Sequence, residues 1–599
     1  MIGEVIFVNK RFSFITSNDN TKYFVRSKNM LTACDKDTVD FSILKGDEVK
    51  VNRIITRNTD EFVGVIENSK NFSFVVLDKV LKDVYIKKKN NLNSKNYDLV
   101  KIKIYDWGNK NKSPEAKVIK NYGNTLKAEN VVSSKIEALN IPHKFSKEVL
   151  AEVDNLTITK EKRVDLTSLY HVTIDGSDTK DMDDAVYLEK KDYGYYLVVS
   201  IADVSSYVKK DSLIDKEAYT RSNSVYLYDR VIPMLPQRLT NDLCSLNPNE
   251  DKLTLSVIIK YDDNGNVISS DIVRSKIRSR HKLTYEGVNE ILNNDIRDFE
   301  YSDMLFNMQE LSEKLTILSK KRGTLEFEIQ ELKLKIGEDN RLCKIELRKR
   351  DKAEILIENF MIAANEQVAN YMFYNEIPCV YRIHEKPSLE SMQALNEQLK
   401  DLNYEVKNPK NLIKKLQKII ELTKDTKLGY FIHKMILNSM KKAIYSKDNK
   451  GHFGLSLKNY LHFTSPIRRY SDLMVHRILL ESMDKYMSEF KKERINKKLN
   501  TICKTISNNE RRAQKMEYLA RDIKLTEYMM KNLGKKYKAM VTSINNDRCF
   551  VNLENYIEAE LLDDIKAHLG ENLEVMVVGT DMLKGKIYVK RLVNGNSKK

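Results

Sequence analysis

Val5–Phe14 reads VIFVNKRFSF, and sixty residues further on Val65–Phe74 reads VIENSKNFSF. The offset is the length of one small β-barrel. Each copy alternates apolar and polar residues in short β-branched and aromatic runs, continuing as KYFVRS around Phe24 and DVYIKK around Tyr85, so both predict strands. Two tandem five-stranded OB barrels follow from that pattern. The same alternation returns near the end of the chain, from about Gly534 to Leu592 (YKAMVTSI, RCFVNL, LEVMVV, KIYVKR), and predicts a third barrel. Between these flanks, strand patterns near residues 163–275 precede mostly helical patterns to about 530, which predicts an α+β core.

In each Phe-x-Phe both rings share one face of the strand. Phe12, Phe14, Phe72 and Phe74, with Tyr23, Phe24 and Tyr85, therefore either stack nucleic-acid bases from the outer face or fill the barrels. Both readings stay open here.

At 599 residues the chain is too long for one core and divides into roughly three to five units. Lys and Arg total 102 against 85 Asp and Glu, a net charge of +17 that attracts polyanions. Hydrophobic residues at 41% and only nine prolines exclude a disordered or collagen-like chain. The six cysteines form no CxxC pair, which argues against a zinc site or a disulfide framework and fits a reducing cytoplasm. No run of eighteen apolar residues and no leader pattern is found, so no membrane partner is expected.

The densest chemical signal is HVTIDGSDTKDMDDAVYLEK, residues 171–190, with aspartates at 175, 178, 181, 183 and 184 between two strand patterns. Carboxylates so close raise one another's pKa unless a cation intervenes, and oxygen-only ligands select magnesium or calcium. An EF-hand does not fit, because Gly176 follows the first Asp and Val186 stands at the twelfth place. Nor is there a phosphate-binding P-loop: five residues separate Gly579 from Gly585, and Ile587 stands where Ser or Thr belongs. Such a cluster suits metal-assisted phosphoryl chemistry.

Downstream, YLHFTSPIRRYSDLMVHR predicts a helix capped by Ser465 with Pro466 at its first position. Arg468 and Arg469 would then occupy a first turn where the helix dipole disfavours bases, which points to a bound anion. Asp472 one turn on can orient one of the two. In AEILIENFMIAANEQVANYMFY, Glu358 and Asn365 are seven apart on nearly one helical face, as expected of ligand contacts or of polar groups with internal partners. Ser507 and Glu510 predict a capping box opening a charged helix.

Taken in order, TIDGSDTKDMDDAVY, IADVSSYV, SVYLYDRVIPMLPQRLTNDLCSLNP, LTYEGV, IENFMIAANE, YRIHEKP, GHFGL and HFTSPIRRYSDLMVHR resemble the ribonuclease II and ribonuclease R family over nearly the whole chain. The resemblance implies cold-shock-type OB domains at 1–58 and 60–123, a helical linker at 124–162, a ribonuclease catalytic domain at 163–532, an RNA-binding OB domain at 533–595 and a polar tail at 596–599. It implies a processive 3′-to-5′ exoribonuclease that releases nucleoside 5′-monophosphates from single-stranded RNA, with structured RNA left open. Asp175, Asp181, Asp183 and Asp184 match its magnesium ligands and catalytic acids, and Asp178 is extra. Tyr226 and Phe327 match aromatics that sandwich the 3′-terminal bases. Tyr285, Glu358 and Arg468 match groups that hold the last ribose and the scissile phosphate, and Arg469 is a further expected RNA contact. A cytoplasmic monomer, in transient association with RNA-decay or ribosome-quality-control machinery, is expected. The sequence opens on the first barrel, with no helix-turn-helix before it, and ends without a long basic tail, which bears on the invasion of duplexes. Two alternatives stay open: a catalytically inactive RNA-binding regulator of the same fold, and a DNA-directed metal nuclease.

Overall fold

The structure, a computed structural model, describes residues 1–592 apart from 78–79, 110, 158–160, 328–330, 349, 401, 407–410, 425, 427, 485–486, 546–547 and 563–566. The expected tail at 596–599 lies outside the described residues.

The alternating segments close into five-stranded barrels. The first is formed by Ile2–Phe7, Phe12–Ser17, Lys22–Arg26, Thr38–Lys45 and Glu48–Thr56, the second by Glu61–Asn68, Phe72–Val76, Val84–Lys87, Asp98–Asp106 and Glu115–Asn124. A third closed barrel runs through Lys536–Asn545, Arg548–Leu553, Glu558–Leu561, Asn572–Asp581 and Lys586–Arg591. In Phe12–Ser17, Ser13, Ile15 and Ser17 point inward, which leaves Phe12 and Phe14 on the outer face. Register places Phe14 opposite Phe24 and Phe74 opposite Tyr85. Phe12, Phe14 and Phe24 accordingly cluster with ring centroids 5.6–6.1 Å apart, and Phe72 meets Phe74 and Tyr85 at 5.4 and 5.7 Å. Tyr23 has the other fate, packing on the buried ring of Phe41.

The chain divides into two compact units. One holds Met1–Ile141 with Tyr518–Tyr537 and Val575–Leu592, the other Pro142–Glu517 with Lys538–Glu574. The second is built on a six-stranded sheet in the order Val164–Asp165, Val267–Thr284, His171–Asp175, Asp184–Lys191, Gly194–Ala202, Asp251–Tyr261. The 18-residue strand Val267–Thr284 also pairs with Asp251–Tyr261, so the sheet curls on itself. Gly194 makes the tight reversal between two of these strands at φ +128°, where a Cβ would sit 2.3 Å from the Tyr261 carbonyl oxygen. Helices from Tyr285–Asn293 onward then cover the sheet through one continuous apolar core.

Two expectations about helices are corrected. Ser507 does not open a helix, because one helix runs unbroken over Glu489–Met530. The Ser507 hydroxyl accepts the buried Tyr445 N–H at 3.0 Å, and Glu510 pairs with Arg382 at 2.7 Å, so both polar side chains serve tertiary partners instead of a cap. The Ser-Pro start is also displaced: the helix is Tyr470–Asp484, and Ser465–Arg469 form a turn ahead of it. Among the described residues no helix is long and apolar enough to cross a membrane.

Ser507→Ala would leave the Tyr445 N–H buried without an acceptor, a loss of about 1–3 kcal/mol. A lowered thermal midpoint is expected, followed by circular dichroism at the long helix's signal. An unchanged midpoint would show that this N–H finds another partner.

Candidate active site

Strand register assembles the acids. Asp175 ends its strand and pairs in parallel with Thr284, so the next residue, Tyr285, starts its helix beside the cluster, with Thr284 capping that helix through Gly287 N–H at 3.1 Å. Asp184 opens the neighbouring strand opposite Ile201. The loop carrying Asp181 and Asp183 is pinned from outside: Ser245 Oγ accepts the Met182 N–H at 3.1 Å, and Ala202 and Leu246 donate to the Asp183 and Met182 carbonyls at 2.9 and 3.1 Å.

Asp183 is 4% exposed. One of its oxygens accepts the backbone N–H of Ile467 at 2.9 Å, and the other lies 3.5 Å from Arg468 Nε. Burial drives its pKa well above the ordinary carboxylate range, against the pull of Arg468. Burial also raises Asp184 and Asp175, each then pushed further by a neighbouring carboxylate, while Lys282 and Arg468 pull Asp175 back. Asp181 is raised by burial, with Tyr226 and Arg468 among the groups that lower it. Asp175 Oδ2 and Asp183 Oδ2 are buried without a hydrogen-bond partner. Unsatisfied carboxylate oxygens of this kind suit a hard divalent cation. Among the described residues no three His, Cys, Asp or Glu side chains are placed to enclose a metal by themselves.

The flanking groups divide into those near the acids and those elsewhere. Tyr226 keeps 42% of its surface exposed while its hydroxyl end lies at Asp181 and within electrostatic reach of Asp183 and Arg468, and its backbone N–H donates to Glu517 at 2.8 Å. The Tyr285 hydroxyl is held protonated by burial and by the charges of Asp184 and Asp175. The Arg468 side chain is 41% exposed, anchored through Ser465 Oγ at 2.8 Å. Arg469, expected to contact RNA, is instead committed to Asp472 through Nε at 2.9 Å and Nη2 at 2.6 Å. The reason is geometric: in the turn, adjacent side chains point apart, so one arginine faces the acids and the other the buried Asp472. Glu358, expected near the last ribose, is paired with Arg350 at 2.7 Å and half exposed. Asn365 faces inward, accepting Phe463 N–H at 2.8 Å, so the two do not share an environment. Phe327 packs on a satellite apolar cluster with its ring edge-on to His433 at 6.4 Å, and no facing contact with Tyr226 occurs among the described residues.

Three contributors escaped the sequence reading. Ile467 acts through its backbone and leaves no residue signature. Glu517 reaches Tyr226 across 291 residues, as one acid among many in a charged helix. Lys282 is bound to the Thr179 carbonyl and sits beside Asp175; a lysine three residues before Tyr285 in a strand ending at the cluster was its only signal.

A family profile described as RNB domain matches residues 163–485, more than half the chain, and a cold shock domain profile matches 74–146. Ribonuclease R of Thermotoga maritima is 35% identical over 98% of this chain and 89% of its own. The chain belongs to the ribonuclease R family. A solved Mycoplasma genitalium RNase R in complex with ribose methylated single-stranded RNA superimposes with a TM-score of 0.87 at 26% identity, covering 99% of this chain and all of that one. Yeast Ssd1, a pseudonuclease, shares the fold at a TM-score of 0.62 and 16% identity over 97% of this chain and 81% of its own.

The raised carboxyls set a pH dependence. An acid whose folded pKa is raised keeps its proton in the folded chain where the unfolded chain has released it, so folding stability falls as pH rises through that interval. In chelator, Asp184→Asn is therefore expected to melt above the parent, with no gap at about pH 4 and a gap that widens as pH rises through the interval to the raised pKa. Thermal scans at several pH values check this, and a gap that narrows with pH would contradict a raised Asp184.

Proposed function

We propose that this chain hydrolyses RNA from its 3′ end, one nucleotide at a time, using magnesium held by Asp175, Asp181, Asp183 and Asp184 and releasing nucleoside 5′-monophosphates. Family membership makes the chain a 3′-to-5′ exoribonuclease. The observation that carries the mechanism is Asp183, buried beside Asp181 and Asp184 and held between the Ile467 N–H and the half-exposed Arg468. The Mycoplasma genitalium relative has been solved with single-stranded and with double-stranded RNA, which supports RNA as the polymer here.

When bound, magnesium would supply Lewis-acid stabilisation of the phosphoryl group and a lowered pKa for water. The chain's own groups do the rest. The exposed edge of Arg468 forks onto phosphate oxygens and offsets the charge that grows there. The open ring of Tyr226 stacks a terminal base without regard to its identity, at about 1–3 kcal/mol per base. Tyr285 keeps its proton and donates it as a hydrogen bond to a substrate oxygen, and the ribose 2′-OH is the handle that separates RNA from DNA. On the outer faces of the N-terminal barrels, Phe12, Phe14, Phe72 and Phe74 offer further sequence-tolerant stacking.

Covalently closed and linear isomers of one single-stranded RNA, with a matching DNA, provide the test in magnesium or chelator. Mononucleotides from the linear RNA alone, abolished by chelator, are expected; rapid cutting of the circle or of DNA would contradict the reading. Asp183→Asn should lose hydrolysis by several orders of magnitude and keep RNA binding, because it removes a charge at constant size. Arg468→Ala is expected to slow the single-turnover step about 10²–10³-fold, the usual cost of one preorganised electrostatic group.

A further inference from the structure

Asp472, in the first turn of the helix Tyr470–Asp484, is fully buried. Its two oxygens are nonetheless saturated. Oδ1 accepts Ser465 N–H at 2.8 Å and Arg469 Nη2 at 2.6 Å; Oδ2 accepts Arg469 Nε at 2.9 Å and Ser471 Oγ at 2.8 Å. Four donors on one carboxylate make a rigid knot, and the turn it ties is the one that carries Ile467 and Arg468. Within that turn, Arg468 and Arg469 N–H both donate to the Ser465 carbonyl, at 3.3 and 2.9 Å. On its far side the turn is stitched to residues 222–224: Ser224 N–H donates to the Arg468 carbonyl at 3.1 Å, and Tyr470 N–H to the Ser222 carbonyl at 2.9 Å. Residues 222–224 lead directly into Tyr226.

We propose that Asp472, with Arg469 as its bidentate partner, is a positioning residue: it fixes the Ser465–Arg469 turn so that the Ile467 N–H and the Arg468 guanidinium address Asp183 and the scissile phosphate. The proposal rests on the assignment of Asp183 and Arg468 to the hydrolytic centre. An amide in place of the carboxylate has one acceptor oxygen and a nitrogen that repels N–H donors, so Asp472→Asn must release some of its four donors. The turn then loosens, while strand register and the loop pinned by Ser245 keep the aspartates in place and Glu517 still holds the Tyr226 backbone. Supporting groups around a reactive centre are typically worth 10–100-fold in rate, because small displacements of the groups they hold are costly.

Asp472→Asn is therefore expected to lower the single-turnover rate at saturating enzyme about 10–100-fold. The Kd for a 5′-fluorescent oligoadenylate, measured in chelator, should be unchanged. In an Arg468→Ala background the same substitution should cost much less, since of the two groups it places the one that meets the phosphate is gone. An unaltered rate, a Kd that rises in step with the fall in rate, or the same fold-loss with and without Arg468 would each overturn the proposal. Should Asp472→Asn fail to fold, Arg469→Gln removes the guanidinium fork and leaves the Ser465 N–H and Ser471 Oγ on the Asp472 carboxylate, and the same rate-without-affinity loss is expected of it. Asp183→Asn run alongside separates the two layers: if it retains turnover, the assignment of the centre fails. If it is inert while Asp472→Asn and Arg469→Gln act like the parent, the positioning role alone fails.

Discussion

The contact on which the site depends is the hydrogen bond from the Ile467 N–H to the buried carboxylate of Asp183. It joins two parts of the chain 284 residues apart and supplies a fixed backbone donor to a group that burial otherwise drives toward its protonated form. One backbone donor and a guanidinium at 3.5 Å do not replace the water that a carboxylate loses on burial. The protein therefore keeps an electrostatic deficit at this point. A deficit of that sign is what a bound cation relieves, so the metal-free site is held less stably than the cation-loaded one would be.

Around that contact, two neighbouring arginines take different work. A helix dipole argument anticipates an anion at the Ser-Pro turn; what the turn's Ile467 N–H meets is the protein's own Asp183 carboxyl. Because the helix begins at Tyr470, Arg468 stands ahead of its first turn, with an exposed edge. Arg469 spends its fork on Asp472 instead. The loop ahead of the turn is fixed as well, with Phe463 N–H on Asn365 and the Phe463 carbonyl on His476, both at 2.8 Å.

Fold alone does not settle activity, since yeast Ssd1, a pseudonuclease, shares the fold. What separates the two possibilities is chemistry at a few positions. Here all four aspartates are present, on strand ends and a pinned loop that bring them together, with Arg468 and Tyr226 against them.

The three barrels and the α+β core were legible in the sequence, because strand periodicity is local and a residue's neighbours two places away share its face. The Phe-x-Phe pairs were legible as pairs but not as inner or outer, since that depends on which alternate residues the barrel wall encloses; Ser13 and Ile15 went inside, and the phenylalanines were left out. Density of charge made the aspartate run conspicuous, and its cost implied a partner. Tertiary structure decided which partners those were. Backbone donors such as Ile467, and distant acids such as Glu517, carry no signature in a linear chain, because any residue can offer an N–H and any charged helix can offer a Glu. Ser507 and Arg469 misled for the same reason: local rules assign a polar side chain to its nearest backbone or solvent role, whereas in the folded chain each is claimed by a buried partner whose desolvation cost is larger than the local gain.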